Sequence, residues 1–395
     1  MEAPFEGIRV LDVSRWIAGS HCSLLLGDLG ADVVKVESST SGDGSRAVHP
    51  QINGESIYYL VYNRNKRGIT LNFRHPKGPE MLRRLAAKAD IIVENFRPGT
   101  MEAMGCSYSV LSELNPRLIM VSISGFGQDG PLARRPCFDS IAQAKSGLET
   151  MTGWPDRPPA LVGTFIGDYS AALHASLGAL AALWRREKTG LGQHVDVALL
   201  DSLLSMLMTA IPEYLLLGRS ISRQGSRSRY VAPTGAFKSK DGWVQIAAGQ
   251  DAIFARLLRA MGRQEYLQDP RFSQLANRLQ HIDAVESLVT EWTEQHTAAE
   301  IEAFLEQAEV PCSKVCTIED VVNDPQVAYR RQIVEVDHPT AGPVPLHGVT
   351  IKLSESPGSI RRAAPLLGEH NEEVYREWLG LSVAEVATLR EDGVI

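Results

Sequence analysis

The sequence predicts an α/β protein: a mostly parallel sheet in a large domain, followed by a smaller α+β domain. Three observations predict it. Short branched apolar runs alternate with helical patterns from Ile8 to about Leu199, the signature of βαβ units. The texture then changes to a polar run, Arg219 to Arg229, as a linker would. Beyond it, an Asp-Gly hairpin introduces a different style of chain.

The elements follow in order. Ile8 to Val13 reads as a strand, Ser20 to Leu29 as a helix closed by Gly30, and Val33 to Val36 as a second strand. So short a return makes these strands parallel neighbours in a right-handed crossover. A helix near Glu80 to Lys88, strand Ile91 to Glu94 and strand Leu118 to Ser124 continue the alternation. Asp168 to Lys188 reads as a helix whose apolar stripe, Leu173, Leu177, Leu180, Ala181 and Trp184, has the spacing of a core-facing side. Strand Val195 to Leu199 and a helix from Asp201 complete a first domain, residues 1–220.

Residues 225–330 form the predicted small domain. Gly235 to Lys238 and Trp243 to Ala247 flank the Lys240-Asp241-Gly242 turn, and three helices follow, about Ala252 to Met261, Asp283 to Gln295 and Ala298 to Glu309. Thr297 and Glu300 announce the last of them as a capping box. Residues 331–395 hold two strand-like runs and a helix near Asn371 to Leu379, and are expected to return to the large domain.

Composition excludes several classes. The 395 residues are 44% hydrophobic and 22% charged, with a net charge of −7, so no global basic field exists to hold nucleic acid or an anionic membrane surface. The N-terminus lacks a basic region and an apolar run, and Val197 to Leu217 is interrupted by Asp201, Pro212 and Glu213, so neither a secretory signal nor a membrane span is expected. Cytoplasmic residence follows as the expectation. Five scattered cysteines, including the lone pair Cys312 and Cys316, suggest neither a disulfide framework nor a metal site.

Gly125 to Gly130 matches GxGxxG after a strand, but Pro131 to Pro136 cannot open the helix that would hold a pyrophosphate, which argues against a nicotinamide enzyme. No GxxxxGK[ST], HExxH or GxSxG occurs and the histidines are dispersed, so a carboxylate mechanism is what remains. Asp168 stands out because it follows Gly163 to Gly167 and immediately precedes a helix. Unpaired N–H groups and the helix dipole would favour its ionised, attacking form by roughly 0.3–1 kcal/mol. Most aspartates at a helix start are simple caps, and sequence physics alone does not set Asp168 apart from them.

Several stretches together resemble the class III CoA-transferases, the group of formyl-CoA transferase and carnitine CoA-transferase. They are Gly7-Ile8-Arg9-Val10-Leu11-Asp12, Ala18-Gly19, Leu29 to Glu37, Asn65-Lys66-Arg67, Val93 to Gly99, Ser124 to Gln128, Lys188 to Gln193 and Leu367 to His370, in that order along nearly the whole chain. The resemblance implies a Rossmann-like large domain and two chains interlocked as a homodimer. It also implies that Asp168 forms an anhydride with an acyl group and then an aspartyl-CoA thioester, with acyl-CoA and a carboxylic acid as substrates and no prosthetic group or metal. Matching residue by residue, the CoA cleft would be lined by Ile17, Ala18, Leu71, Arg74, Asn95, Phe96, Arg97, Phe138 and Asp139. Ser14, Arg15 and Trp16 near the cleft point to a polar or carboxylated acyl group, and Asp139 would either hold the active-site segment through hydrogen bonds or cap a helix. The chain departs from formyl-CoA transferase at Ile17, Ser38 and Ala103, which weakens formyl chemistry. An α-methylacyl-CoA racemase is the alternative, but Phe138 stands where its histidine would and carries no proton. A catalytically silent CoA-binding protein is the other.

Overall fold

A computed structural model describes residues 3–395. Its chain divides into two compact units, residues 1–148, 162–211 and 329–395 in one and residues 149–161 and 212–328 in the other. The first unit therefore includes the C-terminal tail, and the second takes in a short segment, 149–161, far from the rest of it in sequence.

The first unit is built on six parallel strands: β1 (Arg9–Asp12), β2 (Asp32–Glu37), β3 (Lys66–Thr70), β4 (Ile91–Glu94), β5 (Ile119–Ser124) and β6 (His194–Ala198). Their order is β3-β2-β1-β4-β5-β6. Direction of growth reverses between β1 and β4, so a crevice opens there beyond the carboxyl ends of the strands. Alternating side chains divide the core in two. Leu11, Val34, Ile69, Ile92 and Met120 face one side, and Val10, Val33, Val93, Ile119 and Val121 the other.

Strand β3 was not expected, because Lys66-Arg67-Gly68 does not read as a strand. It forms because each charge finds fixed partners. Lys66 is fully buried, and its ammonium lies 3.0 Å from Asp12 and donates to Asn63 Oδ1 and the Ser20 carbonyl. On the opposite face Arg67 pairs with Asp32, Glu373 and Glu377 at 2.5–2.7 Å. Short helices at Ile57–Asn63, Asp139–Ser146 and Val383–Glu391 were also missed. The last carries a capping box, Ser382 with Glu385, that was legible in the sequence.

The helix expected from Asp168 runs over Ile166–Thr189, and its orientation reverses the expectation. Leu173, Leu177, Leu180 and Trp184 are exposed, at 55%, 63%, 39% and 68%. The buried side is Ala171, Ala172, Ala175, Ala179 and Ala182. Small residues let the helix axis approach the sheet; a Cβ at Gly178 would sit 2.6 Å from Val195. The apolar period is that of a helix face, but side-chain size decides which face goes inward.

In the second unit, Thr234–Lys238 and Trp243–Ala247 pair antiparallel, and Cys312–Lys314, not expected from the sequence, adds a third strand. Helices Asp251–Ala260, Ile282–Thr293 and Ala298–Gln307 pack around Phe254, Leu257, Val289 and Ile301, and the Thr297 capping box is formed.

Candidate active site

A helix that precedes a parallel strand must begin at the carboxyl end of the sheet. The Ile166–Thr189 helix precedes β6, so Asp168, in its first turn, shares that end with the loops after β1 and β4. Two hydrogen bonds lock those loops across the crevice: Arg15 N–H donates to Asn95 Oδ1 at 2.8 Å, and Asn95 Nδ2 donates to the Arg15 carbonyl at 2.7 Å. Gly19 is required beside them, since a Cβ there would meet Ser14 at 2.2 Å.

The Arg15 guanidinium lies 5.4 Å over the Phe96 ring, which meets Phe73 edge-on at 6.2 Å. Arg15, Arg74 and Arg97 are exposed and have no carboxylate partner within 4 Å among the described residues. Of the residues matched to the CoA cleft, Asn95 and Phe96 form this clamp and platform, and Arg74 and Arg97 directly follow Phe73 and Phe96 in the chain. Ile17, Ala18 and Leu71 are buried at 1%, 2% and 0% exposure, and Phe138 is 70% exposed.

Asp139 and Gln143 fasten the segment that leads to Asp168. Asp139 Oδ1 accepts the N–H groups of Gly167 at 2.7 Å and Asp168 at 3.3 Å, and its Oδ2 accepts Gln143 Nε2 at 2.6 Å. Gln143 Oε1 in turn accepts the Val162 N–H at 3.0 Å. The helix-start donors expected to serve Asp168 are therefore taken by Asp139, and the electrostatic expectation is corrected. Burial first, and then the Asp139 charge, push the half-buried Asp168 carboxyl up to about 7. At neutral pH the group divides between its acid and its poorly hydrated carboxylate.

The wall beside Asp168 is aromatic. Burial and then the Asp168 charge raise the Tyr58 phenol above its ordinary value. The Tyr58 ring meets Trp16 at 6.5 Å, Tyr62 at 5.4 Å and Phe165 at 6.2 Å. Tyr62 and Tyr169 share a 2.7 Å hydrogen bond, and His21 meets Tyr169 edge-on at 5.0 Å. Burial pushes His21 down to about 4, so its ring is neutral. Sequence reasoning missed Tyr58 and Tyr62, although their i, i+4 spacing marks one helix face.

A Rossmann-order sheet carries the Arg15–Phe96 platform at its switch point and the desolvated Asp168 carboxyl at the same end of the strands, the general arrangement of an α/β enzyme. Residues 5–371 match the CoA-transferase family III, and the chain belongs to that family. It is a CoA-transferase. It is 38% identical over 394 residues to succinyl-CoA--D-citramalate CoA-transferase of Chloroflexus aurantiacus, covering 99% of this chain and 98% of that one. To human succinyl-CoA:glutarate CoA-transferase it is 33% identical, covering 99% and 90%. A CAIB/BAIF family protein from Brucella suis superposes with a TM-score of 0.85 at 34% identity, covering 96% of this chain and 100% of that one. Among the described residues, no helix is long and apolar enough to cross a membrane.

Proposed function

We propose that the chain moves CoA from a dicarboxyl-CoA thioester such as succinyl-CoA to a free carboxylic acid, in the cytoplasm, with Asp168 as covalent nucleophile. The Asp168 carboxylate attacks the thioester carbonyl; the C–S bond breaks, and CoA thiolate leaves an acyl-aspartyl anhydride. The thiolate then attacks Asp168 Cγ, releasing the donor acid and leaving an aspartyl-CoA thioester. Attack by the acceptor carboxylate expels the thiolate and forms a second anhydride. The thiolate takes the acceptor acyl group, and the Asp168 carboxylate is restored. Thioester energy is conserved throughout, so neither ATP nor a prosthetic group enters.

One observation carries this reading: a carboxylate in the first turn of a helix, stripped of much of its water, while the helix-start N–H groups around it are taken by Asp139. The arginines around Phe96 supply anchors for the phosphates of CoA. The relatives named for succinyl-CoA suggest the donor class. The test is trapping. Incubation with succinyl-CoA and hydroxylamine should leave a hydroxamate on the Asp168 peptide, read by mass spectrometry; a label elsewhere, or none during turnover, removes the assignment.

The homodimer is part of the same proposal. Its support is the exposed stripe Leu173, Leu177, Leu180 and Trp184, too large a run of apolar side chains for a face left in water. The double variant L177E/W184E should convert the dimer to monomer or to aggregate in light scattering. A variant that remains a wild-type dimer would exclude this face from the interface.

A further inference from the structure

We propose that Trp16 is the side chain that limits the length of the acyl group carried beside Asp168, and that Asp43 is the positioning residue that holds it there. The proposal rests on Asp168 being the acyl-bearing carboxylate.

Trp16 has φ 63°, a left-handed conformation that an aromatic residue adopts at a cost of about 1–3 kcal/mol unless its surroundings impose it. The surroundings do. Its N–H donates to both oxygens of Asp43 at 3.3 Å. Asp43 is buried at 2%, and its carboxylate is fixed by the Lys35 ammonium at 3.0 Å and the Ser45 N–H at 2.9 Å. Lys35, fully buried, also donates to the Ser14 carbonyl at 2.6 Å, and Asn95 clamps Arg15. Each residue from Ser14 to Trp16 is thus fastened by a buried ion or a side-chain amide.

Among the described residues, the ring so placed belongs to no hydrophobic core cluster, and it is 39% exposed. Gly44 lies flat against it, and a Cβ there would sit 2.8 Å from Trp16 Cζ2. Tyr58 meets it edge-on, and Phe165, the residue that caps the Asp168 helix, meets Tyr58. A row of three rings therefore runs from the strained loop to the start of the nucleophile's helix. A large open-faced ring, held in a strained backbone by buried charges and not used by the core, is an arrangement the fold does not need. A wall against which an acyl chain ends does need it.

Trp16→Gly separates the two roles, because glycine favours the left-handed backbone and the substitution removes the ring without adding strain. With one acceptor acid, kcat/KM for suberyl-CoA relative to succinyl-CoA should rise roughly tenfold or more. The Kd for free CoA should stay at the wild-type value. Asp43→Asn should move the same ratio in the same direction by less, and should add nothing on the Trp16→Gly background, since it acts through the ring. An unchanged ratio in Trp16→Gly overturns the proposal, and a full Asp43→Asn effect on that background overturns the role of Asp43. Hydroxylamine labelling of the wild type reads the nucleophile separately. A ratio that moves while Asp168 stays unlabelled sinks the nucleophile reading and leaves Trp16 as the acyl wall.

Discussion

Asp168→Asn should reduce CoA transfer by roughly ten-thousandfold or more, the scale on which removal of a covalent nucleophile acts. The amide matches the carboxylate in size and cannot form the anhydride. Wild-type kcat/KM should rise with pH to a plateau through an apparent pKa of about 7, because only the ionised group attacks and burial with the Asp139 charge has lifted it from 3.8. Stability should move the opposite way. The folded pKa lies above the unfolded one, so the proton on Asp168 contributes stability that is complete below about pH 4 and lost as pH rises through about 7. Asp168→Asn escapes that loss: its Tm should exceed that of the wild type by a few degrees at pH 8 and converge with it near pH 4. Activity within tenfold of wild type, or a flat pH profile from 5 to 9, would remove Asp168 from the chemistry.

Asp12→Ala should cost about 3–5 kcal/mol, the scale of breaking a buried ion pair from one side. Asp12 is fully buried and accepts from Ser14 N–H and Oγ, Ser23 Oγ and the Lys66 ammonium. Burial opposes its charge, yet Lys35 and Lys66 hold its carboxyl down to about 2. Burial, and after it the neighbouring Lys35 charge, push Lys66 down to about 8 against the pull of Asp12. Removing Asp12 leaves two buried ammonium groups with one carboxylate fewer between them. Denaturant unfolding measures the loss, and a change below about 1 kcal/mol would show that solvent or rearrangement satisfies the lysines. With Asp12 present, its contribution is complete above about pH 4 and disappears as pH falls through about 2. Since Asp12 also holds Ser14, the variant should loosen the loop that carries Arg15 and Trp16.

Much of this was legible in residue order. Branched apolar runs at Val10, Val33, Ile91 and Ile119 announced strands, and their spacing announced parallel crossovers. Strand β3 was hidden because its side chains are charged, and charge in a strand is allowed only where distant partners neutralise it. Asp12 and Glu373 are those partners, and no local window contains them. Asp168 was found from its place before a helix, but its titration was assigned the wrong direction. The dipole is a local effect that sequence reveals. Burial and Asp139, which outweigh it, belong to the assembled site.

By itself the sequence determined the class of fold and the strand that the Asp168 helix precedes, and therefore the end of the sheet at which Asp168 stands. Those are consequences of period, length and handedness, which act between near neighbours. The tertiary structure alone decided which face of the Ile166–Thr189 helix goes inward, which carboxylate takes its free N–H groups, and which ring stands beside Asp168. Each of those is settled by packing volume and by charge pairing between segments far apart in the chain, and such forces have no value until the segments meet.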